Sequence, residues 1–264
     1  MYKVNCVKGG VNMSIAESNR SRRKSSRINE IKYNRYGEKM TLIAYENAHD
    51  VVIEFENGYK INTQYVNFEL KRLKSPYAKT LFGIGFLGEG EYSPIINKDI
   101  YECWSSMFKR CYGKNKYGKY NKTVCNEWHN FQNFAKWYDE NYYEVGDERI
   151  ELDKDILVKG NNIYSPETCI FVPQRINSLF IGINDLRCLP KGVSIKDNKY
   201  MSKVHIGNKS IHLGYFDTPV EAWYQYKLYK ELYIKQVADE YKEYIPEKLY
   251  NAMYNFEISL EVAI

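Results

Sequence analysis

Residues 152–173 read LDKDILVKGNNIYSPETCIFVP, and this stretch has the chain's densest gathering of groups able to do chemistry. It holds two carboxylates (Asp153, Asp155), an amide pair (Asn161, Asn162), a third carboxylate (Glu167) and a thiol (Cys169). Helix is disfavoured through its middle. Gly160 and the two asparagines favour a turn, and Pro166 has no backbone N–H to donate. The pattern predicts a short strand with Asp153 and Asp155 on one face, a loop around Gly160, and a second strand over residues 169–172. Such a hairpin can bring carboxylates and amides to one point. A hard divalent cation needs that set, because Mg²⁺ takes a few protein oxygens and completes its shell with water.

Upstream of the hairpin, Tyr101, Trp104, Met107, Phe108 and Cys111 recur at three and four and predict an amphipathic helix that stops at Gly113. Trp128, Phe131, Phe134, Ala135 and Tyr138 mark a second helix, with Trp137 beside the stripe. Both aromatic stripes are expected to pack the hairpin from behind. The Lys- and Tyr-rich residues 113–122 serve equally as a plain loop or a phosphate contact. His129 lies off the second stripe and reads as a surface histidine, with a displaced general base as the alternative.

Downstream, residues 192–196, 200–206 and 210–216 are three alternating strands joined by turns at residues 197–199 and 207–208. Thr218-Pro219-Val220-Glu221 then starts a helix with a capping box and proline at its first position. Ala222, Tyr226, Tyr229 and Leu232, or close neighbours, are its expected buried face. In the middle strand Ser202, Val204 and Ile206 point one way while Lys203 and His205 point the other. The strands and helix form a self-contained pattern, so residues 186–264 are expected to fold alone. Residues 241–264 form a tail in which Ile245-Pro246 breaks the helix and Leu249, Met253, Phe256 and Leu260 form a last amphipathic segment. It either docks on the body or meets a partner.

The N-terminal part is different. Residues 1–38 carry Arg20, Arg22, Arg23, Lys24, Arg27, Lys32 and Arg35 among Ser and Asn, the composition of a flexible tail or of an arm that tracks phosphates. Residues 39–98 read as a small β module, with Asn57-Gly58 predicting a type I′ hairpin. The glycines of residues 81–90 imitate a phosphate loop, but no Gly-Lys-Ser/Thr follows, so the segment is read as a bent connector.

The chain has 264 residues, 44% hydrophobic, with 26 tyrosines and a net charge of +5. That suffices for more than one small core. No secretory signal opens it and no apolar run nears the roughly 18 residues of a membrane span, so an intracellular, cytoplasmic protein is expected. The six cysteines contain no CxxC pair, which argues against a zinc ribbon. Cys111, Cys125 and Cys169 read as buried thiols, with a metal site as the alternative.

Two resemblances organise these pieces. Leu-Asp-Lys-Asp, Gly-Asn and Tyr-Ser-Pro-Glu-Thr-Cys resemble the HNH segment of phage-borne homing endonucleases. Trp104, Met107, Arg110-Cys111-Tyr112, residues 124–128, Phe131 and Phe134 extend the likeness over about residues 100–177. It implies a ββα-metal unit over residues 99–180, in which Asp153 and Asn161 or Asn162 hold Mg²⁺ or Mn²⁺. Water would be activated by Asp155, Glu167 or a distant histidine, because Lys154 or Asp153 stands where the family's catalytic histidine would be. Gly192-Val193, Leu213-Gly214, Phe216-Asp217-Thr218 and Glu221-Ala222 resemble the plant Apetala/ethylene-response-factor DNA-binding domain, over residues 186–240. That likeness implies that Ser194, Lys196, Lys203, His205, Ser210 and His212 contact double-stranded DNA. The expected fold class is therefore α+β: a β module, an HNH-like unit, and a three-stranded antiparallel sheet plus helix. The expected function is a metal-dependent DNA endonuclease. Its rivals are a DNA-binding protein descended from such nucleases, acting as a regulator or counter-defence factor, and a protein-binding inhibitor with a protein partner.

Overall fold

Residues 39–55 alternate apolar and polar side chains, and the alternation is realised as two strands, β2 (Lys39–Asn47) and β3 (Asp50–Phe55). With β1 (Ile31–Tyr33) and β4 (Lys60–Thr63) they form a four-stranded antiparallel sheet in chain order. Its inward set, Met40, Leu42, Val51, Ile53 and Phe55, closes on Phe68 of a short helix, α1 (Tyr65–Glu69). The computed structural model describes residues 27–113, 121–181, 189–207 and 209–260. Within these the fold is α+β, divided into two compact units between Glu89 and Gly90.

Two expectations for the first unit change. The arm was expected to reach residue 38, yet β1 belongs to the sheet, and its basic residues are engaged within the unit. Lys32 pairs with Glu69 at 2.9 Å, and the Arg27 guanidinium lies 4.2 Å from the centre of the Tyr65 ring. Arg20, Arg22, Arg23 and Lys24 lie outside the described residues. The Asn57-Gly58 hairpin is a three-residue loop rather than a type I′ turn. Only Gly58 takes a positive φ (85°), and the Asn57 side chain accepts from the Tyr59 N–H at 3.1 Å.

In the second unit, α2 (Lys98–Tyr112) and α3 (Phe131–Asn141) bury their aromatic stripes. Trp128 lies in a 3-10 turn just before α3; it accepts the Trp104 indole N–H at its carbonyl (2.7 Å) and packs 4.7 Å from Trp137. Strand β5 (Thr123–Val124) pairs in parallel with β7 (Ile163–Tyr164). Strands β6 (Ile150–Asp153) and β8 (Ile170–Pro173) form the expected antiparallel pair, Asp153 opposite Ile170. Phe171 of β8 packs on Trp137, Tyr138 and Tyr142, so α3 backs this pair.

After α4 (Gln174–Phe180) comes a second antiparallel sheet of β9 (Val193–Lys196), β10 (Lys199–Ile206) and β11 (Lys209–Phe216), with β10 central. Asp197 and Asn198 take φ of 52° and 58°, which makes the β9–β10 link a two-residue type I′ turn. Helix α5 (Pro219–Tyr241) starts at the Thr218/Glu221 capping box and is followed by α6 (Glu247–Tyr254).

Helix α5 serves two cores. Tyr226 meets Val204 of the sheet and Ile258 of the tail, so the tail docks on the body. Farther along, Ile234, Val237, Ala238 and Tyr241, with Leu249 and Met253 of α6, share a core with Ile156, Ile170, Val172, Ile176 and Leu179. The hairpin region and the sheet-plus-helix region, expected as separate domains, are thus joined through one helix. The buried face of α5 also differs from expectation: Tyr229 and Leu232 are exposed, and Lys230 stands in the buried stripe. Among the described residues no helix is long and apolar enough to cross a membrane.

Candidate functional site

Strand β6 ends at Asp153 because that side chain turns back on its own chain. One carboxylate oxygen accepts the N–H groups of Asp155 and Ile156, both at 2.8 Å. This local turn removes Asp155 from the strand, so the two carboxylates do not share a strand face as the period-two reading expects. They meet instead across the turn. Burial, and then the negative charge of Asp155, push the Asp153 carboxyl up to about 6.

Lys154 is 3% exposed, and its ammonium bonds the Asp155 carboxylate at 2.9 Å and the Asn161 carbonyl at 2.6 Å. A second cation, Lys122, lies close to Asp155. The Asn161 amide donates to the carbonyls of Lys154 and Ile163, and its oxygen accepts the Ile163 N–H. That side chain is therefore spent on loop closure, a correction to its expected place as ligand. Asn162 is exposed and contributes its carbonyl to Thr123 of β5. Glu167 is exposed too, and its carboxyl is held below the usual range by a hydrogen bond from Ser165.

These contacts test the fit of Mg²⁺ or Mn²⁺. A hard cation needs oxygens with spare lone pairs and an excess of negative charge. Here Asp153 and Asp155 face Lys154 and Lys122, and among the described residues no three His, Cys, Asp or Glu side chains converge. The group as folded is near charge balance and does not suit a divalent ion without displacing a buried ammonium.

The raised Asp153 carboxyl has a measurable sign. The folded state holds this proton more tightly than the unfolded state, so the group's contribution to stability falls as pH rises from about 4 to about 6. Asp153→Asn keeps an oxygen for both N–H groups without the charge. Urea unfolding at pH 4.5 and 6.5 should show a smaller stability difference in the variant than in the parent protein. An unchanged difference would remove the assignment.

The remaining candidates have structural settings. His129 is half-buried, with Nε2 3.1 Å from the Val124 carbonyl and its ring beside Phe108, which corrects the surface reading. Cys103, Cys111, Cys125 and Cys169 are free thiols, and burial pushes each of them up, Cys111 to about 11.

The outer face of the second sheet is the other candidate. Ser202 and Val204 are buried, while Lys203 stands opposite His212 and His205 opposite Ser210 on the outer face. Lys196 lies opposite Lys199 on the same face. Strands β9, β10 and β11 contain no acidic residue. Ser194 is the exception among the expected contacts: it has the right register, opposite Met201, but its hydroxyl is shielded from solvent.

A residue that strict alternation misses is Tyr215. Between Ser202 and Lys203 the register shifts by one residue of β11, a bulge at Leu213-Gly214. The bulge puts His212 and Tyr215 on one face with ring centres 4.7 Å apart. Gly214 takes the positive φ of 132° at this bulge, and a glycine inside a strand is the sequence feature that could have marked it.

No family model, curated protein or solved structure matches the chain.

Proposed function

We propose that the protein binds double-stranded DNA with the outer face of the β9–β11 sheet. The observation that carries the reading is this face itself. It is free of acidic side chains along its strands, bears Lys196, Lys203, His205, Ser210 and His212, and lies opposite a face sealed by α5. A narrow β ribbon fits the major groove, where lysines meet phosphates and His and Ser reach base edges. The exposed His212–Tyr215 pair adds a flat aromatic surface for sugar or base contact. The resemblance to the Apetala/ethylene-response-factor domain points the same way. In this reading the Asp153–Asp155 hairpin is a charge-balanced brace for β6, β7 and β8, and the protein acts by occupying DNA.

The test is binding to duplex DNA across a salt series. Lys203→Ala should weaken binding and reduce the slope of log K against log salt by roughly one unit. Unchanged affinity and slope would sink the sheet-face assignment.

A second reading is favoured by the adjacency of Asp153 and Asp155: metal-dependent hydrolysis of DNA by an HNH-like centre. Supercoiled DNA incubated with Mg²⁺ or Mn²⁺ separates the two. Chelator-sensitive nicking that Asp153→Asn abolishes would transfer the function to the hairpin; intact supercoils keep it on the sheet.

A further inference from the structure

A cavity of about 460 Å³ lies between α4, the rim of β10 and α5. It exists because β9 is short. That strand pairs with residues 199–202, so beyond Lys203 no strand among the described residues lies beside this edge of β10. Lys191, Lys203, His205 and Lys230 line the space, and no carboxylate does among the described residues.

Lys230 is the unusual member. It sits in the stripe Ala222, Tyr226, Lys230, Ile234, where an amphipathic helix ordinarily carries apolar side chains, and it is 5% exposed. No acceptor among the described residues bonds its ammonium. Burial, and then the nearby charge of Lys191, hold its pKa down to about 8. A buried ammonium without a counter-charge is costly. An anion in the cavity would offset that cost.

We propose that this cavity binds a phosphate group, with the Lys230 ammonium at its floor and Lys191, Lys203 and His205 around it. Phosphate fits because the Lys230 ammonium, with the charge of Lys191 near it, faces a cavity whose described lining holds no carboxylate. Lys203 and His205 belong both to the outer sheet face and to the cavity wall. A duplex lying on that face would bring a backbone phosphate to the opening, and a free phosphate is the other source. The first source rests on the DNA-binding reading; the cavity's affinity for phosphate does not.

The experiment uses the full chain and inorganic phosphate at constant ionic strength against chloride. Thermal unfolding should rise by about 2–4 °C in phosphate for the wild type and stay unchanged for Lys230→Met. The methionine removes a buried charge at similar volume, so this variant should fold. Should it not, broadening of the phosphorus resonance by the wild type and its loss in Lys191→Ala give the same decision.

Duplex affinity is measured beside it. If Lys230→Met also lowers affinity by about 3–10-fold and phosphate competes with DNA, the ligand is a backbone phosphate. If DNA affinity is unchanged while the phosphate response is lost, the ligand is a free phosphate. A wild type indifferent to phosphate, or Lys230→Met responding like the wild type, overturns the site even when DNA binding stands. A phosphate response without any DNA binding keeps the site and removes the DNA reading.

Discussion

Gly192→Ala should lower the unfolding free energy by about 2–5 kcal/mol, a loss large enough to threaten the fold. Two independent effects add at this position. Gly192 has φ of 79°, a conformation that an L side chain adopts at a cost of about 1–2 kcal/mol. An added Cβ would also lie 2.2 Å from Cδ2 and 2.4 Å from Cγ of Tyr226, a ring 4% exposed in the core beneath the sheet. The ring cannot turn away without repacking Val204 and Ile258. Gly58 provides the control: its φ is 85°, and nothing lies within 4 Å of an added Cβ. Gly58→Ala should therefore cost only the backbone part, about 1–2 kcal/mol. Urea unfolding of both variants measures the difference, and equal losses would show that the Tyr226 contact carries no weight.

The second large effect concerns where the chain can be cut. A fragment of residues 186–264 should lack a cooperative unfolding transition, although it contains the whole second sheet and α5. Cutting there removes Ile156, Ile170, Val172, Ile176 and Leu179 from the core they share with Ile234, Val237, Ala238, Tyr241, Leu249 and Met253. Re-exposing those side chains at about 1–2 kcal/mol each costs on the order of 10 kcal/mol, comparable with the whole stability of a small domain. Residues 90–264 keep both sides of this core and should unfold cooperatively. Thermal melts followed by circular dichroism compare the two fragments. A sharp transition in the shorter one would make the sheet and helix a domain in their own right.

Both expectations come from contacts between segments far apart in the chain, whereas much of the local architecture is legible without them. The three-and-four spacing of Trp104, Met107, Phe108 and Cys111 locates α2 and its inner face, and Gly113 ends it. Thr218, Pro219 and Glu221 locate the start of α5. The alternation through residues 200–206 separates Lys203 and His205 from Ser202 and Val204. Each of these signals is short-range, set by helix or strand period and by capping, so the residues that carry it lie within a few positions of one another.

The sequence by itself determined the α+β class, the places of α2, α3 and α5, and the polar face of the second sheet. Which partner met each reactive side chain was decided only by the tertiary structure. The period-two reading set Asp153 and Asp155 on one strand face, but the Asp153 carboxylate bonds the turn that ends the strand, and Lys154 neutralises its neighbour. Asn161 has the chemistry of a ligand and the position of a loop clasp. Lys230 has the composition of a surface residue, yet the short β9 and the packing of α5 bury it beside Lys191. Periodicity reports which side of an element is inward. It does not report what lies there to receive a charge, because that neighbour comes from another part of the chain.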